Sequence, residues 1–259
     1  MSYKRSKYFK TSSKIKIRYL FSNKKSQITV VFFHGFMSDM DGAKPKAIQK
    51  YCNKQKINFL KFEYSGHGKS KGDFLKGNIS KWTNEAKQLI RSKIKKDKYI
   101  FFIGSSMGSW ISLNLFPFFE KQIIGFIGIS SAPEFLEKLM WKKFDKKIKK
   151  KINIEKIYYL KHANFTYPIT KQLISDGRKN KIFNNKIYSK ISITLLHSLN
   201  DEVVPIKFSK KILKIFKNAK KKLIKIKNGD HSLSRKSDLR KICKELNSIL
   251  CPYFGSNGF

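Results

Sequence analysis

Tyr99-Ile-Phe-Phe-Ile-Gly104-Ser105-Ser106-Met107-Gly108-Ser109-Trp110 is the stretch on which the reading of this chain turns. An apolar, strand-like run enters the pattern Gly104-x-Ser106-x-Gly108 and leaves in a helix-like spacing of Trp110, Leu113 and Leu115. Strand, sharp turn, helix is the order that holds a central side chain clear of a sheet, with glycine where strand and helix backbones approach closely. Ser106 is the residue so presented. The same five residues standing alone would be only a Gly/Ser-rich loop, so their meaning depends on whether the rest of the chain supplies an acid, a base and an oxyanion-binding loop.

Upstream, Gln27 to Phe33 reads as a continuous apolar strand, the pattern of a parallel strand covered on both faces, and it ends in His34-Gly35-Phe36-Met37-Ser38. A glycine-containing turn at the carboxyl end of such a strand aims backbone N–H groups at a reacting centre, which makes Phe36 N–H one candidate oxyanion donor and Met107 N–H, next to Ser106, the other. His34 is read as a structural histidine bracing the turn. A helix over Lys44 to Lys56 and a strand over Ile57 to Tyr64 follow, then the loop Ser65-Gly66-His67-Gly68-Lys69-Ser70. That loop has neither the spacing of a Walker phosphate loop nor a G-x-G-x-x-G that enters a helix, so it is read as a tight turn with a structural His67. Trp82, Ala86, Leu89, Ile90 and Ile94 give helical periodicity over Ile79 to Lys95, leading back to the elbow.

Downstream, Ile123 to Ile129 is another buried strand, closing on Ser130-Ser131-Ala132-Pro133-Glu134. The alternation of strand and helix then lapses from about 135 to 188, where charge runs, Tyr158, Tyr159, Phe165 and Thr166-Tyr167-Pro168-Ile169-Thr170 suggest an insertion folded as a lid over the strand ends. Its aromatic residues would line an acyl pocket or pack the lid onto the domain. The alternation resumes with a strand from Ile191 to Leu196, the loop His197-Ser198-Leu199-Asn200-Asp201-Glu202, a helix over Pro205 to Phe216, and a short strand from Lys222 to Ile226. Gly229-Asp230-His231-Ser232 and a helix over Lys236 to Leu250 complete the chain. Ser106, Asp201 and His231 thus each follow a strand, and strands of an α/β sheet deliver functional groups at their carboxyl ends. A serine hydroxyl needs a base to remove its proton and an acid to hold that base in the right tautomer, and His231 and Asp201 would fill these roles. Glu202 and Glu134 are the alternative acids; Asp230 is expected to shape the turn beside His231.

Taken together, Gly35-Phe36-Met37-Ser38-Asp39-Met40, Tyr64-Ser65-Gly66-His67-Gly68, Gly104 to Gly108, Tyr167-Pro168-Ile169-Thr170 and Gly229-Asp230-His231 resemble the α/β hydrolases over essentially the whole chain. More narrowly, they are similar to bacterial relatives of the mitochondrial acyl-glucuronide esterase that also acts as a palmitoyl-protein thioesterase. The resemblance implies an α/β-hydrolase fold, with a mostly parallel central sheet, helices on both faces and a small lid, as one domain over residues 1–259. It also implies hydrolysis of esters or thioesters through Ser106, Asp201 and His231, with no cofactor or metal, on a small molecule or an acylated protein. The chain departs from that family at Ser198, where glycine is usual, and at Val203, where a second acidic residue is frequent. A serine aminopeptidase-like peptidase and a non-catalytic basic binding module are the competing classes.

Composition adds a warning. The chain has 259 residues, 41% of them hydrophobic, enough for a sizeable core, and a formal net charge of +40. Such a charge ordinarily suggests nucleic acid or an anionic surface. Yet Arg5, Arg18, Arg91, Arg178, Arg235 and Arg240 are the only arginines among 57 basic residues, and arginine is the residue suited to bidentate phosphate recognition. The lysine excess is therefore read as compositional drift: no specific nucleic-acid partner is expected, only weak attraction to anionic surfaces. Three scattered cysteines, Cys52, Cys243 and Cys251, suggest neither a disulfide framework nor a zinc site, and fit a reducing cytoplasm. No apolar run is long enough for a transmembrane helix. Alternation of Ile15, Ile17 and Tyr19 with Lys16 and Arg18 predicts a half-buried strand near the amino end, with only the first ten or so residues dispensable.

Overall fold

The computed structural model of the chain describes residues 6–162 and 165–254, and only the backbone of His162 and Phe165. In chain order the strands are β1 (Lys7–Lys10), β2 (Lys16–Ser22), β3 (Ile28–Phe33), β4 (Asn58–Phe62), β5 (Tyr99–Ser105), β6 (Ile123–Ile129), β7 (Ile157–His162), β8 (Phe165–Thr170), β9 (Ile187–Tyr188), β10 (Ser192–Ser198), β11 (Phe216–Lys217) and β12 (Lys220–Ile226). The helices are α1 (Ala43–Lys54), α2 (Ile79–Lys93), α3 (Met107–Asn114), α4 (Phe116–Phe119), α5 (Lys146–Glu155), α6 (Lys171–Lys179), α7 (Lys207–Ile215) and α8 (Lys236–Leu250).

Eight strands form one sheet in the order β1-β2-β4-β3-β5-β6-β10-β12, parallel from β4 to β12 and antiparallel across β1-β2-β4. Every residue of β3 and of β6 is buried, as their unbroken apolar runs require of strands covered on both faces. Alternate side chains enter different cores. Val31, Phe33, Leu60, Phe62 and Phe102 pack with Trp82 and Leu89 of α2 and Trp110 of α3. Val30, Phe32, Phe59, Phe101 and Ile103 pack with Ile48 and Cys52 of α1 and Ile242 and Leu246 of α8. This period of two follows from successive Cβ atoms pointing to opposite faces of a strand. At the open edge, β12 reads Lys-Lys-Lys-Leu-Ile-Lys-Ile, and its exposed lysines discourage pairing with another strand.

The chain passes from β3 outward to β4, then returns to the far side of β3 to form β5. Reversal of strand order leaves a crevice at the carboxyl ends of β3 and β5, the place where ligands bind in open α/β sheets. The loop after β3 and the elbow after β5 meet there.

The amino end departs from expectation. Lys7–Lys10 pairs antiparallel with Lys10↔Lys16 and Lys7↔Tyr19, so a segment expected to be dispensable is a sheet strand; residues 1–5 lie outside the described ones. Its charged sequence hides a strand whose order comes from the neighbour it pairs with. The irregular region from about 135 to 188 contains two short turns of helix at Leu136–Met140 and Trp141–Lys143, then α5, the hairpin β7–β8, α6 and β9. Phe144, Ile152, Ile169 and Ile174 give it a small apolar cluster of its own.

Candidate active site

Ser106 sits between β5 and α3 with φ 51° and ψ −118°, the strained backbone that the elbow pattern predicts. Two glycines make this turn possible. A Cβ at Gly108 would drive into the backbone carbonyls of Phe33 and His34, and one at Gly104 would stand 2.5 Å from Ser109 Cα. Ser109 Oγ donates to Gly104 O at 2.7 Å and accepts from Ser131 Oγ at 2.8 Å. From the neighbouring strand, Ile129 O accepts Ser106 N–H at 2.9 Å.

From the loops after β10 and β12 come the partners. His231 Nε2 lies 3.1 Å from Ser106 Oγ, and His231 Nδ1 lies 2.8 and 3.0 Å from the two carboxylate oxygens of Asp201. Nothing but a donor suits a nitrogen facing a carboxylate, so the neutral ring carries its proton on Nδ1 and leaves Nε2 to accept from Ser106. The Asp201 side chain is fully buried, while that of His231 is a quarter exposed. Burial alone would raise the Asp201 pKa. Hydrogen bonds from His197 and His231, the charge of His231 and the Val204 N–H outweigh it and hold the carboxyl well below its usual range.

Asp201 stands in a turn of its own making, since Oδ1 accepts from Val203 N at 3.0 Å and Val204 N at 2.8 Å. Ser198 ties this turn to the neighbouring loop: its Oγ donates to Gly229 O at 2.6 Å and accepts from Asn200 N at 3.0 Å. The departure from glycine at that position thus joins the acid loop to the histidine loop. Of the alternative acids, Glu134 is occupied elsewhere, accepting from Ile182 N and Phe183 N at 2.9 and 2.8 Å. Glu202 lines the cleft. Asp230 Oδ1 accepts from Leu233 N at 2.8 Å and shapes the turn.

The loop after β3 is braced as read. His34 Nδ1 donates to Gly35 O at 2.8 Å, and its Nε2 faces Tyr64 N at 3.4 Å. In a trans peptide C=O and N–H point opposite ways, so anchoring Gly35 O inward turns Phe36 N–H outward. A Cβ on Gly35 would stand 3.5 Å from Ser106 Cβ, which measures how closely this loop approaches the elbow. Met107 is the first residue of α3, where a backbone N–H has no partner within the helix. Burial lowers the His34 pKa to about 4, against the pull of the Gly35 carbonyl. His67, packed on His34, Phe74 and Trp82 at ring distances of 5.1, 5.0 and 4.9 Å, is lowered to about 3 by burial and then by His34.

Sequence reading missed three supports of the site. His197 Nε2 lies 3.3 Å from Asp201 Oδ2, giving the acid a second imidazole neighbour; the signal was an apolar strand ending in a histidine four residues before the acid. Lys44, at the start of α1, donates to Ser232 O and to Ser234 Oγ, the latter at 3.1 Å, and burial lowers its pKa to about 8. Arg18 bridges Asp41 and Glu63 at 2.7 and 2.9 Å, tying the loop after β3 to the body of the sheet. The latter two join residues far apart in sequence, and no local pattern announces them.

These groups open into a cavity of ≈ 550 Å³. Phe36 and, from the insertion, Phe135, Leu139, Met140, Leu160 and Tyr167 form an apolar side, and Ser38, Asp39, Lys44, Glu202 and Ser232 a polar rim. Tyr167 stacks on Phe36 with planes 16° apart and centroids at 6.1 Å, so the insertion rests on the loop after β3. Of the other aromatics in the insertion, Tyr158 packs internally on Phe144 and Tyr159 is exposed; the Phe165 side chain lies outside the described residues. Among the described residues no three or more His, Cys, Asp or Glu side chains converge as a metal site would.

A parallel sheet wound on both sides, an elbow serine at its switch point and a histidine and aspartate from later loops define an α/β hydrolase. Residues 24–158, just over half of the chain, match the family model described as serine aminopeptidase, S33, and the chain belongs to that family of hydrolases. Among characterised proteins it is related to the mitochondrial palmitoyl-protein thioesterase ABHD10 of mouse, with 24% identity over 226 residues that span 85% of this chain and 74% of the relative. A putative hydrolase from Agrobacterium vitis S4 has the same fold, with a TM-score of 0.89 and 24% identity over 95% of this chain and 98% of its own. Mouse α/β hydrolase domain-containing protein 10 superposes with a TM-score of 0.87 and 21% identity, over 96% and 99%.

Proposed function

We propose that this protein is a serine hydrolase that cleaves carboxylic ester or thioester bonds through an acyl-enzyme on Ser106. The observation that carries the reading is the unbroken hydrogen-bonded chain from Ser106 Oγ through His231 to Asp201 at the mouth of a half-apolar cavity. In the proposed cycle His231 Nε2 takes the Ser106 proton as Oγ attacks the carbonyl carbon, and the tetrahedral oxyanion is held by the N–H groups of Phe36 and Met107. The proton passes from His231 to the leaving oxygen or sulfur, the C–O or C–S bond breaks, and a water deprotonated by His231 releases the acid. Asp201 keeps the imidazole in the receptive tautomer and offsets its charge while protonated. The acyl chain lies among Phe36, Phe135, Leu139, Met140, Leu160 and Tyr167, and the insertion serves as the lid above it.

The thioesterase name of the mammalian relatives supports this bond type. The family description favours a second reading, an aminopeptidase, for which Asp39 and Glu202 on the rim are the carboxylates available to a free amine. The test is labelling with a fluorophosphonate probe, followed by assay of p-nitrophenyl esters, acyl thioesters and aminoacyl p-nitroanilides. Expected are labelling of the wild type that Ser106→Ala abolishes, and turnover of esters and thioesters. Unlabelled wild type overturns the mechanism; turnover of the anilides alone transfers it to a peptidase.

A further inference from the structure

His197 is buried with no exposed surface, at the end of β10, and the reaction sequence above does not use it. Its ring has three polar neighbours. Nε2 lies 2.8 Å from Val204 O and 3.3 Å from Asp201 Oδ2, and Nδ1 lies 2.7 Å from Ser209 Oγ on α7. A carbonyl oxygen only accepts, so Nε2 must carry a proton, and in the neutral ring Nδ1 then accepts the Ser209 hydroxyl proton. Ser209 is itself fully buried in the first turn of α7.

The same N–H that is fixed by Val204 O therefore also faces the carboxylate oxygen that receives His231. Asp201 Oδ2 stands between two imidazoles, 2.8 Å from His231 Nδ1 and 3.3 Å from His197 Nε2. Oδ1 has its two backbone N–H donors from Val203 and Val204. Both oxygens are thus provided for, by groups on three consecutive segments: β10 carries His197, α7 carries Ser209, and Val204 lies in the loop between them.

We propose that His197 is a positioning residue for the Ser106 reaction, holding Asp201 aimed at His231 through a relay that starts at the Ser209 hydroxyl. This rests on the acyl-enzyme reading of Ser106. His197 touches neither the substrate nor the reacting atoms. Its work is to supply a fixed dipole on the far side of the acid, as outer groups do for metal-bound histidines, where their loss costs roughly 10- to 100-fold. Removing it would let the carboxylate turn away from His231, lowering the rate of the chemical step and leaving the cleft, and so KM, unchanged.

The experiment is a double-mutant cycle on the full chain with a short p-nitrophenyl ester. His197→Leu removes the N–H at similar size, His197→Gln keeps an N–H near the place of Nε2, and each is made alone and together with Asp201→Asn. Expected for His197→Leu is a fall in kcat of about 10- to 100-fold with KM within about twofold, and for His197→Gln recovery of most of that loss. In the Asp201→Asn background, where no carboxylate remains to be aimed, His197→Leu should cost less than about threefold more. Equal losses in the two backgrounds, or no recovery with His197→Gln, would show a merely structural histidine and overturn the inference. Should His197→Leu fail to fold, Ser209→Ala carries the same cycle, with an expected fall of about three- to tenfold that vanishes beside Asp201→Asn; a fall that persists there overturns it equally. Fluorophosphonate labelling of the wild type separates the two levels. Without it the Ser106 reading fails and this inference with it; with it, additive losses remove only the role of His197.

Discussion

Lowering the pH from about 7.5 to about 5 should cost the fold about 4 kcal/mol through His34 and His67. Both imidazoles are buried and held neutral, at about 4 and about 3 against an unfolded value of 6.5. Between those values and 6.5 the unfolded chain binds protons that the folded chain refuses, so stability present above pH 6.5 is lost as the pH falls. For one such group at about pH 5 the unfolded state gains about 2 kcal/mol from protonation while the folded state gains almost nothing, which gives about 4 for the pair. The carboxylates held low, Asp41, Asp201 and Asp238, give up stability only below about their unfolded value of 3.8 and stay out of this window. Burial raises the Glu85 pKa against the pull of its Ser65 hydrogen bond, a shift of the opposite sign to that of the two histidines in its effect on acid stability. Against a typical total of about 5–15 kcal/mol, the effect is large enough to read from urea melts at the two pH values. His67→Phe isolates it. Its Nε2 has no hydrogen-bond partner among the described residues, and Ser65 O, which faces its Nδ1, keeps the Trp82 Nε1–H at 3.1 Å. Any packing cost of the larger ring applies at both pH values and cancels in their difference. The drop between the two should therefore shrink by about half, to about 2 kcal/mol. An unchanged drop in His67→Phe would refute the assignment of acid sensitivity to this pair.

Other outcomes follow from the same geometry. Asp201→Asn should lower kcat by about 10⁴-fold, because the amide favours the wrong imidazole tautomer, and should also lower the melting temperature, because a buried amide N–H₂ then faces a donor where the carboxylate accepted from His197 and the Val203 and Val204 amides; steady-state kinetics beside a melting curve checks both halves. Arg18→Met leaves the fully buried Glu63 carboxylate without its guanidinium and should cost about 3 kcal/mol or more in a urea melt. Gly108→Ala pushes a methyl into the Phe33 and His34 carbonyls, so the variant should lose probe labelling and melt at a lower temperature.

Much of the site was legible because elbow, acid and base each lie in short segments with local signatures: an apolar strand, then glycine, serine or aspartate at its carboxyl end. β3, β5, β6 and α8 formed within a residue or so of where periodicity put them, and Ser106 has the strained φ that two flanking glycines permit. β1 was illegible because Lys7–Lys10 has no apolar pattern and becomes a strand only by pairing with β2. The insertion gave no regular signal because its elements are held partly by a small cluster around Phe144 and Ile169 and partly, through Phe135, Leu136 and Leu173, by the main core.

Local order, then, was in the sequence by itself: which segments are strands, which serine stands on a turn, and that an acid and a base follow in later loops. Periodicity and turn chemistry act over a few residues, so they survive in a linear reading. Distances between loops do not. Only the tertiary structure decided that His231 reaches Ser106, that Asp201 rather than Glu134 receives its imidazole, and that Glu134 instead holds the backbone of Ile182 and Phe183. It also decided that Lys44 and Ser232, 188 residues apart, close the rim of the cleft, because sheet order and helix packing set which loops meet. The elbow announced the place of Ser106; the reversal of strand order between β3 and β5 supplied the crevice in which it stands.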